Sequence, residues 1–109
     1  MLTFLADEAE THLPMHKRTK VYVCDNGKRV ATLACDLGDQ SQERSHSTQI
    51  WRAKLHHKQF DPFNYNHEKS EKEPYVEADD EGRMALHNPS LLSIADARQW
   101  VRDHYRGSN

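Results

Sequence analysis

Long apolar runs are missing from this 109-residue chain, and so are most of the signatures that mark chemistry. No hydrophobic stretch approaches the ~20 residues that a bilayer-spanning helix requires, so no membrane partner is expected. The opening MLTFLA is too short for a signal-peptide core and has no basic residues before it. The cytoplasm is therefore the expected compartment. Glycine is scarce at four residues; Gly38 and Gly82 stand alone, and no phosphate-cradling loop can be assembled from them. No Gly-x-Ser-x-Gly elbow singles out a serine, and the acids of EADDEG read as a solvated turn.

Cysteine is limited to Cys24 and Cys35, which suits a reducing compartment. Both lie in VYVCDNGKRVATLAC, a hairpin pattern turning at Asn26-Gly27. With Asp25 facing Lys28, Cys24 faces Arg29 and Tyr22 faces Ala31. Cys35 then lies about 20 Å further along the partner strand. A disulfide needs Cα atoms within about 7 Å, so the two thiols are expected as small half-buried hydrophobes.

What is present is charge, at 29% of residues, against a 36% hydrophobic fraction. That is enough apolar material for one modest core in a single domain spanning 1–109. Thr3, early acids and good helix formers suggest a short N-terminal helix over 3–13, ended by Pro14. The hairpin strands are expected near 19–25 and 28–36. The polar segment LGDQSQERSHST reads as a connection. A third strand follows over 48–57, in which Trp51, Ala53 and Leu55 alternate with Arg52, Lys54 and His56. Residues 58–74 show no period and read as a long loop. PYVEADDEGRMALH is a weaker second hairpin turning through Asp80-Glu81-Gly82. The clearest helix begins at a Ser93 cap, and Ile94, Ala97, Val101 and Tyr105 form its apolar stripe. Arg106 and Gly107 close it. The sum is an α+β domain: an antiparallel sheet of four to five strands built from hairpins, with the C-terminal amphipathic helix packed on one face.

Eight histidines (12, 16, 46, 56, 57, 67, 87 and 104) raise the question of metal. His12 and His16 have helical spacing but Pro14 separates them, and adjacent His56 and His57 point to opposite faces of a strand. There is no Cys-x-x-Cys, His-Glu-x-x-His or His-x-His, so they read as scattered surface histidines, with no metal and no cofactor. Without a paired nucleophile and base the chain is read as non-enzymatic.

Charge is uneven along the chain. Residues 16–58 carry nine Lys and Arg against four acids, whereas residues 59–82 carry eight acids against two lysines. The net charge of −2 gives no overall pull toward a polyanion. The expected function is therefore binding to a macromolecule, with a protein placed first as partner. The chain would be an accessory, regulatory or inhibitory protein of the kind mobile elements and phages carry. Phe60, Phe63, Tyr65 and His67 in the long loop are the candidate contacts. Segments of opposite sign also suit a second copy of the chain, as a homodimer. The alternative is a nucleic-acid-binding module using Arg52, Lys54 and His56 with Arg98, Arg102 and Arg106 of the helix. The strand alternation sends the first three away from the helix, so the two basic sets are not expected to form one track.

Overall fold

In the computed structural model, residues 1–14, 18–36, 50–56 and 59–106 are described. Six strands form one antiparallel sheet: β1 (Leu2–Ala6), β2 (Lys20–Asp25), β3 (Lys28–Asp36), β4 (Ile50–Leu55), β5 (Tyr75–Ala78) and β6 (Met84–Leu91). Their order across the sheet is β1-β2-β3-β4-β6-β5. A single helix, α1 (Ile94–His104), covers one face and packs on β3, β4 and β6. The α+β class holds, with six strands rather than four to five.

The additional strand is β1. The segment expected as a helix over 3–13 contains an extended strand followed by one 3-10 turn at Glu8–Glu10. Leu2 and Phe4 pack against the core while Thr3 and Leu5 face out, a period of two that helix-forming side chains concealed. Asp7 caps the turn by accepting from the Ala9 amide at 2.9 Å.

The β2–β3 hairpin turns where expected, with Asn26 (φ 51°) and Gly27 (φ 79°) both left-handed. Cys24 faces Arg29, but Tyr22 faces Thr32 rather than Ala31. The register slips by one because Val30 bulges out of the pairing, and its side chain is buried in the core at 1% exposure. Cys24 and Cys35 point to opposite faces of the sheet, so the disulfide is precluded geometrically.

The second hairpin joins β5 and β6 through a turn with Gly82 at φ 80°. Strand β4 was expected to reach from 48 to 57; its ends at 48, 49 and 57, the polar connection at 37–48 and Gly107 lie outside the described residues. The segment expected as a loop over 58–74 is described from 59. It holds a 3-10 turn at Pro62–Asn64 and a bridge from Asn66 to Tyr75. Ser93 caps α1 as expected, its Oγ accepting from the Asp96 amide at 3.0 Å.

The core lies between sheet and helix. Val21, Val23, Ala31, Leu33, Cys35, Trp51, Ala53, Leu55 and Leu86 face Ala97, Trp100 and Val101. Asp25, on the same face, accepts hydrogen bonds from the Tyr105 hydroxyl and the Met1 ammonium, tying the helix end to the hairpin tip. Leu33, on a central strand and 0% exposed, should be the most sensitive single position. Leu33→Ala is expected to lower stability by about 2–5 kcal/mol. Phe63→Ala, at a 92% exposed site, should change it by less than about 0.5 kcal/mol. Denaturant midpoints of the two variants check the contrast.

Candidate functional site

Among the described residues no helix covers the face of the sheet opposite α1, and the strand alternation decides what that face displays. One cross-strand row crosses all six strands: Leu5, Tyr22, Thr32, Lys54, His87 and Tyr75, in sheet order. Beside it Lys20 and Arg52 flank Ala34. On the other side stands Arg29, whose guanidinium carbon lies 3.9 Å from the centre of the Tyr22 ring. In a regular strand Arg29 and Thr32, three residues apart, would point to opposite faces. The bulge at Val30 brings both to this side.

Two hollows sit on this face and share Thr32 and Lys54. The larger, about 460 Å³, lies between the β2–β3 turn, the end of β4 and the β5–β6 turn. The smaller, about 310 Å³, is lined by Lys20, Arg52, Tyr75 and His87 among others. Among the described residues, Lys20, Lys28, Arg29, Arg52 and Lys54 make no salt bridge. The carboxylates nearby accept hydrogen bonds and reach these cations only at longer range. Asp7 accepts from the Tyr22 hydroxyl at 2.8 Å, and Glu10 accepts from the Thr19 and Lys20 amides at 3.0 Å. Asp79 accepts from the Arg83 and Glu81 amides at 2.9 and 3.0 Å. All three carboxyls are held below their ordinary range, Asp7 chiefly by the Ala9 amide, Glu10 chiefly by the Thr19 hydroxyl and Asp79 chiefly by the Arg83 amide, with Lys20 and Arg29 adding to the effect at Asp7 and Lys54 at Asp79.

Two histidines belong to the face. His56 shares a hydrogen bond with Thr32 Oγ1 at 3.1 Å, and His87 stacks on Tyr75 with ring centres 5.1 Å apart. His87 Nε2 donates to the Glu77 carbonyl at 3.3 Å. Burial, followed by the charge of Lys54, pushes the His56 pKa below its ordinary 6.5. Burial is also the largest cause for His87, where Lys54 lowers and the Glu77 carbonyl opposes.

The six basic positions expected as an alternative site are divided by the sheet. Arg52, Lys54 and His56 lie on the open face. Arg98 and Arg102 lie on the helix side, over the Phe4 ring at 5.3 and 4.9 Å. Arg106 is exposed just beyond α1, and its amide donates to the Gln59 carbonyl at 3.0 Å.

The loop set is divided too. Phe60 is a core residue at 8% exposure, not a surface contact. Tyr65 is half-buried, edge-on to Phe60 and tilted against His104, each with ring centres 6.0 Å apart. Only Phe63 and His67 remain exposed, with His67 Nε2 donating to the Pro62 carbonyl at 2.9 Å. Aromatics between prolines carried no signal for which ring turns inward.

Lys20 and Tyr22 were legible as open-face residues because they alternate with Val21 and Val23. Arg29 and Gln59 were not: one depends on the bulge and the other on a loop that folds back under the sheet. Among the described residues no three His, Cys, Asp or Glu side chains gather as a metal site; His16, His46 and His57 lie outside them. No helix of the described residues is long and apolar enough to cross a membrane. Comparison with protein-family models, curated proteins and solved structures finds no match to this chain.

The lowered His56 and His87 values set a pH dependence. Each ring binds its proton more weakly folded than unfolded, so their contribution to stability is present above pH 6.5 and lost as pH falls below it. The lowered carboxylates act only at more acid pH, below ordinary values of 3.8 for Asp and 4.5 for Glu. Urea midpoints of the native chain should therefore fall between about pH 7 and pH 5, and combined His56→Gln and His87→Gln should flatten that slope.

Proposed function

We propose that this protein acts by binding, without chemistry of its own, and that its open sheet face is a nucleic-acid interface. The observation that carries this reading is the set of cations on one face, Lys20, Arg29, Arg52 and Lys54, none within salt-bridge distance of a carboxylate among the described residues, with Asp7 and Asp79 acting on three of them only at longer range. Cations gathered on one face and not locked into ion pairs attract a polyanion, whose condensed counterions are released on binding. Strands β2 to β4 span two inter-strand spacings, about 10 Å, and are flanked by β1 and β6, so the strip would lie along a phosphate backbone rather than enter a groove. The acids of the β1–β2 connection and the β5–β6 turn border the basic strip on both sides and would restrict its register on a strand.

This reading puts a nucleic acid ahead of the protein partner that the sequence suggested. A protein-binding reading retains one observation, the 92% exposed Phe63 on its capped 3-10 turn. With Phe60 in the core and Tyr65 packed against it, that ring lacks the surrounding aromatic patch from which an interface centre is usually built.

Fluorescence anisotropy with a labelled duplex and a labelled single strand, across a salt series, tests the proposal. Affinity should fall steeply with salt, and combined Arg52→Ala and Lys54→Ala should lower the log–log slope by about two. Phe63→Ala and Arg102→Ala should leave it unchanged. Salt-independent binding, or a slope insensitive to the double substitution, would reject this face. Capture from a lysate that survives nuclease but is lost in Phe63→Ala would favour the protein partner instead.

A further inference from the structure

The larger hollow on the open face has a property that simple charge does not explain. Part of its wall is Gln59, a residue only 1% exposed, and the Oε1 of its amide has no hydrogen-bond partner among the described residues. Buried acceptors in folded proteins are nearly always satisfied, and an orphan beside an open cavity invites a donor from outside the chain. The terminal torsion of glutamine is soft, so the amide can turn about its last bond toward a donor in the hollow.

The other walls define what that donor would be attached to. Lys28, Arg29 and Lys54 line the same space and make no salt bridge among the described residues. Two carboxylates share the lining, Asp79 and Glu81, against the four cations Lys28, Arg29, Lys54 and Arg83. Asp79 accepts from two backbone amides, and Glu81 lies 3.9 Å from Arg83. His56 and Thr32, hydrogen-bonded to each other, complete the lining with further polar contacts. The hollow thus combines a cationic end with a buried amide acceptor. Its volume of about 460 Å³ is within the usual range for small-ligand sites.

We infer that this hollow holds one phosphorylated nucleotide unit, its phosphate against Arg29, Lys28 and Lys54 and a sugar hydroxyl or base amine donating to Gln59. Two sources share that chemistry, the end of a bound strand and a free mononucleotide. As a strand end, the inference rests on the nucleic-acid reading above. An internal phosphodiester in a duplex cannot enter a hollow walled by a buried side chain unless its nucleotide is flipped out. A terminal nucleotide enters directly and brings a phosphomonoester with close to two negative charges. The open face would then recognise a strand by its charge and its terminus by Gln59.

The test uses the full chain and one short labelled duplex prepared with 5′-phosphate, 3′-phosphate or hydroxyl ends, with adenosine monophosphate as competitor. One phosphorylated form is expected to bind about tenfold more tightly than the hydroxyl form. Gln59→Met keeps the side-chain volume and removes the amide; it should erase most of that preference and leave hydroxyl-ended binding as it was. Arg29→Ala, at an exposed position that does not threaten folding, should reduce the preference independently. Equal binding of all three duplexes, with no competition by the mononucleotide, would overturn the inference while the interface reading stands. Gln59-dependent binding of the mononucleotide without any duplex binding would support the hollow as a nucleotide site and reject the interface. A preference unchanged in Gln59→Met would overturn the role given to the amide.

Discussion

Every statement about this molecule's surface follows from which side of the sheet the single helix covers. Side chains on a strand alternate strictly, so burying Val21, Val23, Leu33, Trp51 and Leu55 beneath α1 commits their neighbours to the opposite side. Lys20, Tyr22, Thr32, Arg52 and Lys54 are on the open face because the apolar residues beside them are not. Among the described residues one α-helix serves two faces, and the cations of β2 to β4 collect on the face opposite it.

The overall charge of −2 hides how differently the two signs are used. Several acids serve as local hydrogen-bond acceptors. Asp7, Glu10, Asp61 and Asp79 each accept from backbone amides in turns or connections, and Asp25 holds the Tyr105 hydroxyl. Their charge is spent in building the chain's corners. The cations of β2 to β4 have no equivalent structural partner; Arg29 rests on an aromatic ring and Arg52 projects into solvent. An acidic protein can thereby present a basic strip, since its negative charge sits at bends and its positive charge on regular strands.

Much of this was readable before any coordinates. The Asn-Gly turn, the Trp51–Ala53–Leu55 alternation and the Ser93 cap are local signals, and each led to the element it implied. The separation of Arg52 and Lys54 from the helix arginines followed from the same alternation. What failed were features decided at a distance. Leu2 to Ala6 forms a strand because β2 offers it an edge, although the segment contains good helix formers. Phe60 is buried because its loop returns under the helix end, where the Arg106 amide bonds to the Gln59 carbonyl. Gln59 lies in that same return, and nothing in the residues around it announces a buried amide.

The extra residue at Val30 bears on how the hairpin could change over time. Loops elsewhere can gain or lose residues with only modest entropic effect. The tip from Asn26 to Ala31 has no such latitude, because its parity joins two surfaces. Removing one residue there would either expel Val30 from the apolar interior or send Arg29 to the helix side, leaving the Tyr22 ring bare. This short stretch is thus fixed in length by two unrelated demands, and related chains should vary in its side chains before they vary in its count.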